Sequence, residues 1–78
     1  MDILVAYDVN TETKAGRRRL RQVAAVCKDF GQRVQQSVFE CRVTQAQLEA
    51  LRAKLLDIIH REQDNLRIYR LRSLARKT

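Results

Sequence analysis

The run Ile3-Leu4-Val5-Ala6, inside the stretch DILVAYD, constrains this chain more than any other feature. A surface strand alternates side chains between core and water, and an unbroken apolar run does not. It describes a strand buried on both faces, at the centre of a sheet. Residues 2–8 therefore read as that strand, and it stops at an acid. Asp8 is either a turn residue or the chemical centre of the molecule.

After the strand, NTETKAGRRR breaks the pattern and restarts it as a helix. Thr11 or Thr13 can cap that helix, with Gly16 tolerated inside its first turns at some cost. Leu20, Val23, Ala24, Cys27 and Phe30 fall at helical spacing, and Gly31 is a good stop. At about 100° per residue, Lys14, Arg17, Arg18, Arg21 and Lys28 gather on the opposite side. Arg19 sits at the border of the apolar face, where a long side chain can turn inward. Solvation alone explains most of these charges, whereas Arg19 and its neighbours near the helix start are best placed to meet a phosphate.

RVQQSVFECRV, residues 33–43, is rich in β formers, and its alternation slips by one residue between Val38 and Phe39. Such a slip marks either a bulge or a turn between two short strands. TQAQ at 44–47 is a capping box, Thr44 with Gln47 three residues on. Leu48, Leu51, Leu55, Leu56 and Ile59 continue a helix to about Glu62. Asp57 and Arg61 form an i,i+4 surface pair within it. His60, alone and without ligand partners, reads as a surface residue. Asp64-Asn65 is a turn, and LRIYRL is the last strand.

The order is strand, helix, one or two strands, helix, strand, with one apolar stripe on each helix. Two such helices cover one face of an antiparallel sheet, the α+β ferredoxin-like (βαββαβ) plan. The domain spans residues 1–72, with a basic tail at 73–78. The uncovered face of the sheet needs a partner, so a homodimer through the sheet is expected on packing grounds. A chain of 78 residues also has too small a core to dispense lightly with such help.

Composition narrows the function. A net charge of +7 favours a polyanionic partner. Two Tyr, two Phe and no Trp supply a base-stacking platform poorly. Cys27 and Cys41 make no CxxC pair, and with one His there is no zinc set. A reduced, cytoplasmic chain with cysteines as core filling is the simplest reading. No apolar run reaches membrane-helix length, and the start lacks the layout of a signal peptide. DVNTET fails as a calcium loop because Thr13 stands where the loop needs Gly. There is no Ser/His/Asp set and no Gly-rich phosphate loop.

LVAYDVN, the basic helix RRRLRQVAAVCKDFG, and above all QRVQQSVFEC resemble the small CRISPR-associated Cas-two family, over residues 2–71. The resemblance implies a ferredoxin-like homodimer that joins the Cas-one integrase in a complex capturing new spacers. Many members are also described as divalent-metal-dependent endonucleases acting on RNA or double-stranded DNA. It further implies that Asp8 is the catalytic, metal-binding aspartate, with Mg²⁺ or Mn²⁺ as the cofactor. Tyr7 precedes it in the motif, Ser37 and Phe39 match the family's SVF, and Arg33 the arginine just before. RRRLR covers the family's helix arginines without a fixed register, so Arg17 and Arg19 are carried over. Members continue into a fifth strand that pairs across the dimer. Only RSLARKT remains here, either a short last strand or the end of a fragment.

Three functions follow as expectations. One is an architectural subunit that grips duplex DNA through Arg17, Arg18, Arg19, Arg21 and Arg33. Another is a metal-dependent nuclease on RNA, single-stranded included, or on duplex DNA, in which metal-activated water attacks a phosphodiester. A single Asp8 is too few for a two-metal site unless a two-fold axis brings a second one opposite. These two roles are compatible, and the subunit role carries more weight. The alternative is a ferredoxin-like RNA-binding module without catalysis, for which Phe39 and Tyr69 are the candidate aromatics.

Overall fold

The computed structural model describes residues 1–71, so the expected domain end at 72 and the basic tail lie outside the described residues. The order is β1 (Asp2–Asp8), α1 (Lys14–Phe30), β2 (Gly31–Gln35), β3 (Val38–Arg42), α2 (Gln45–Ile58) and β4 (Asn65–Leu71). The strands form one antiparallel sheet in the order β2-β3-β1-β4, with β1 central as its apolar run requires. This is the ferredoxin-like fold.

Helix starts follow local chemistry. Of the two threonines, Thr13 caps α1, its hydroxyl accepting the Gly16 N–H at 3.0 Å. Thr44 caps α2 with both bonds of the capping box: the Gln47 N–H to Thr44 Oγ1 at 3.1 Å, and the Thr44 N–H to Gln47 Oε1 at 2.8 Å. Gly16 has a sharper reason than tolerance. A Cβ there would overlap the Asn10 carbonyl oxygen, so the first turn of α1 lies directly against the β1–α1 loop. Gly31 ends α1 and opens β2 at once, and a Cβ on it would overlap Glu40 and Cys41 of β3.

The core lies between the sheet and the helices. Ile3, Val5 and Tyr7 of β1 meet Phe39 and Cys41 of β3, Val23 and Cys27 of α1, and Leu48, Leu51 and Leu55 of α2. Each fully buried Val, Leu, Ile or Phe among them contributes roughly 1.5–3 kcal/mol. The opposite parity of β1 stands apart. Leu4 and Ala6 are only half-buried, and Tyr69 beside Leu4 on β4 is 47% exposed. Burial of β1 on both faces is thus not met among the described residues, because both helices lie on one side.

The phase slip in residues 33–43 is both a turn and a bulge. The chain turns at Gln36-Ser37 between β2 and β3, and the register shifts between Arg33 and Gln35. Helix α2 ends at Ile58, short of the expected Glu62. The His60 N–H donates to Asp64 Oδ2 at 2.8 Å, and the Asp64 N–H returns to the His60 carbonyl at 2.8 Å. That turn removes Arg61 from the helix, and no Asp57–Arg61 ion pair forms among the described residues. Leu56, placed in the apolar stripe by its spacing, is 42% exposed. No helix of the described residues is long and apolar enough to cross a membrane.

Candidate metal and nucleic-acid site

Asp8 ends β1 opposite Asn65 of β4. Its alternation with Leu4 and Ala6 puts it on the open side of the sheet, and it is exposed. Among the described residues no hydrogen bond or ion pair engages its carboxylate. The backbone beneath it is fixed: the Tyr7 N–H donates to the Ser37 carbonyl at 3.1 Å, and Val9 is buried. The free carboxylate therefore stands on a rigid strand end.

Beside it lies a cavity of about 380 Å³ lined by Asp8, Tyr7, Arg21, Arg33, Gln36 and Ser37 among others. The apolar part of this wall is built in depth. The Tyr7 and Phe39 rings stack at 6.2 Å between centroids, and the Arg33 guanidinium lies over Phe39 at 5.2 Å. Burial pushes the Tyr7 hydroxyl's pKa up, the Cys27 side chain adds to the rise, and Arg33 pulls against both. Phe39 is wholly buried, so its part is to support Arg33 rather than to meet a ligand.

The structure thus brings Tyr7, Asp8, Arg21, Arg33 and Ser37 to one concavity. Arg17 and Arg18 are exposed nearer the start of α1, where Arg17 Nη1 also donates to the Thr11 carbonyl at 3.1 Å. That first turn carries no acid. Cations at the positive end of a helix dipole are unfavourable by themselves, and a phosphate placed there relieves the repulsion.

Arg19 departs from the expectation. Its Nε donates to Asp64 Oδ2 at 2.7 Å and its Nη2 to Asp64 Oδ1 at 3.2 Å, with only 14% of the side chain exposed. It has turned inward, as its place at the stripe's border allowed, and the guanidinium is spent on a carboxylate. Burial works to raise the Asp64 carboxyl. Hydrogen bonds from Arg19, His60 and Asn10 outweigh it and hold the pKa at about 2.

Arg67 was not among the expected site residues. It pairs with Ala6 across β1–β4 and lines a smaller hollow of about 150 Å³ with Asp8 on the open side of the sheet. Only the strand register reveals it, since the diagonal from Ala6 to Asp8 is one pleat. Among the described residues no three His, Cys, Asp or Glu side chains cluster as a metal cage. A lone carboxylate still suits Mg²⁺, which keeps several waters and takes one or two carboxylates plus substrate phosphate. Both cysteines are free and buried; burial, then the neighbouring Cys41, pushes the Cys27 thiol up to about 12, so it is no nucleophile.

The whole chain, residues 1–78, matches the family model for CRISPR associated protein Cas2. It belongs to the Cas2 (Cas-two) family. It is 64% identical over 77 residues to a CRISPR-associated endoribonuclease Cas2 of Moorella thermoacetica, covering 99% of this chain and 80% of that one. A CRISPR-associated endonuclease Cas2 of Halalkalibacterium halodurans is 52% identical over 71 residues, 91% of this chain and 74% of that one. The crystal structure of Streptococcus pyogenes Cas2 at pH 6.5 superposes with a TM-score of 0.88 at 53% identity, covering 97% of this chain and 93% of the other.

Proposed function

We propose that this Cas2 chain is a CRISPR adaptation subunit that works as a homodimer, binds duplex DNA beside a Cas-one integrase, and cleaves phosphodiesters at Asp8. One observation carries the catalytic part: Asp8, exposed and with its carboxylate unpartnered among the described residues, lines the same cavity as Arg21 and Arg33. The endoribonuclease and endonuclease names of its relatives support the same reaction class.

Each residue has a physical task. Asp8 holds the divalent cation, Mg²⁺ or Mn²⁺, which when bound supplies an activated water and charge neutralisation at the phosphate. Arg21 and Arg33 hold the phosphate backbone within reach of that carboxylate. Arg17 and Arg18 extend the grip along α1 without reading sequence. A second copy on the open face would bury Leu4, Ala6 and Tyr69 and bring a second Asp8 to the same side. The RNA-binding module without catalysis loses ground, because Phe39 is fully buried and leaves Tyr69 without a companion for stacking.

The test is twofold. Affinity purification from the source cell should recover a Cas-one integrase, and sedimentation at micromolar concentration should give a dimer of the 9.1 kDa chain. A clean monomer that recovers no integrase contradicts the subunit role.

A further inference from the structure

Asp8 owes its place to more than the strand it ends. Two residues on, Asn10 is gripped from both sides. Its N–H donates to Asp64 Oδ1 at 3.0 Å, while its carbonyl lies against the bare Cα of Gly16. Between them Val9 is sunk in the core at 7% exposure. The backbone that leaves Asp8 therefore has little freedom, and a side chain from the far end of the sequence sets its position.

Asp64 is itself immobilised. Its side chain is fully buried, at 0% exposure. Its two oxygens receive Arg19 Nε and Nη2, the His60 N–H and the Asn10 N–H. An ion pair to Arg19 alone would tie α1 to the α2–β4 turn. The bond to Asn10 goes further and ties both to the loop that carries Asp8. Burying this carboxylate without those donors would be costly, so the four bonds hold or fail together.

We propose that Asp64 is the positioning residue for Asp8: by fixing the Asn10 backbone it sets the cation affinity of a carboxylate it never touches. This rests on the reading of Asp8 as the cation ligand. Partners that orient a ligand from behind typically change metal affinity about 10- to 100-fold when removed. Asp64→Asn offers one acceptor oxygen and turns an NH₂ toward N–H donors, so part of the clamp opens while the size is kept.

The test titrates Mn²⁺ into the full chain and follows the paramagnetic broadening of the Asp8 and Val9 amide signals. Parent, Asp64→Asn and Leu48→Ala are compared at a temperature where each is fully folded. Leu48 is buried near the start of α2, by the opposite end of β1, and reports general loosening. The Asn variant should need about tenfold more Mn²⁺ for half-broadening, with cleavage recovering at saturating Mn²⁺. Leu48→Ala should match the parent despite a lower melting temperature. Should Asp64→Asn fail to fold, Arg19→Lys keeps the charge but gives up the paired donors, and the same shift is expected. Equal half-broadening in parent and variant, or an equal shift in Leu48→Ala, overturns the inference alone. A parent without broadening at Asp8 overturns the cation reading and this inference with it.

Discussion

The Arg33 guanidinium lies 5.2 Å from the centroid of the Phe39 ring, a ring that is itself wholly buried and stacked on Tyr7. A cation on an exposed strand is thereby held over an aromatic face in the cavity that Asp8 also lines, which neither residue provides alone. Two letters of the SVFEC motif are accounted for: the Ser37 carbonyl receives the Tyr7 amide, and Phe39 supports Arg33.

Arg33→Lys should therefore fail as a substitute. It keeps the charge and loses the planar group that stacks. Melting should change by no more than the loss of about 0.5–1 kcal/mol for an exposed cation–π pair, while affinity for nucleic acid falls nearly as far as in Arg33→Ala. Equal affinity for the Lys variant and the parent in a binding titration would remove the stacking from the account.

Arg17, Arg18 and Arg21 are exposed along α1, and their contribution should be sequence-blind. Replacing all three by Ala should weaken duplex binding equally for unrelated sequences. It should also flatten the slope of log K against log salt by about 0.9 for each phosphate that is no longer neutralised. A variant whose affinity falls far more for one sequence than for another points to base readout instead.

Gly16→Ala sets two effects against each other. Alanine gains about 1 kcal/mol of helix propensity over glycine. The new Cβ overlaps a backbone carbonyl, that of Asn10, which has no rotamer by which to escape. Overpacking of this kind costs about 1–3 kcal/mol, so the steric term should win. Thermal unfolding should show a lower melting temperature; an unchanged or raised one would mean the β1–α1 loop yields freely.

The Asp64 carboxyl sits near 2 in the folded chain against an ordinary 3.8, because Arg19 and two backbone amides favour the charged form over the pull of burial. A depressed acid contributes stability that is fully present above its unfolded value and lost as pH falls toward the folded one. Denaturant midpoints of the parent should drop between pH about 4 and about 2, and Asp64→Asn should lack that part of the drop. Parallel curves for the two proteins would show that the clamp carries no proton-linked stability.

What the sequence reveals and what it hides divides by range. The Thr44 capping box, the strand ending at Asp8 and the stripe of α1 are patterns of neighbours, and each stands where its spacing puts it. Arg19 could be placed at the border of the stripe, but its partner is 45 residues away, and Asp64 looks like any turn acid until the chain folds. Gly16 looks merely tolerated because the carbonyl that demands it comes from a tertiary approach. The end of α2 was hidden for the same reason, since its stop is the Asp64 carboxylate taking the His60 N–H. Arg67 needed the strand register. The run Ile3–Ala6 marked β1 as central, although the cover for its second face is not supplied by the described residues.

The most direct measurement is cleavage by the parent and by Asp8→Asn, on duplex DNA and single-stranded RNA, with Mg²⁺, with Mn²⁺ and with EDTA. The substitution keeps the size and most of the turn-forming ability of Asp8 and removes the charge a cation needs. The parent should cut with either metal and stop in EDTA. The variant should not cut, yet remain a dimer and bind nucleic acid at least as tightly, having shed one negative charge per chain. A variant that cuts as fast as the parent would make Asp8 a turn residue and contradict the account.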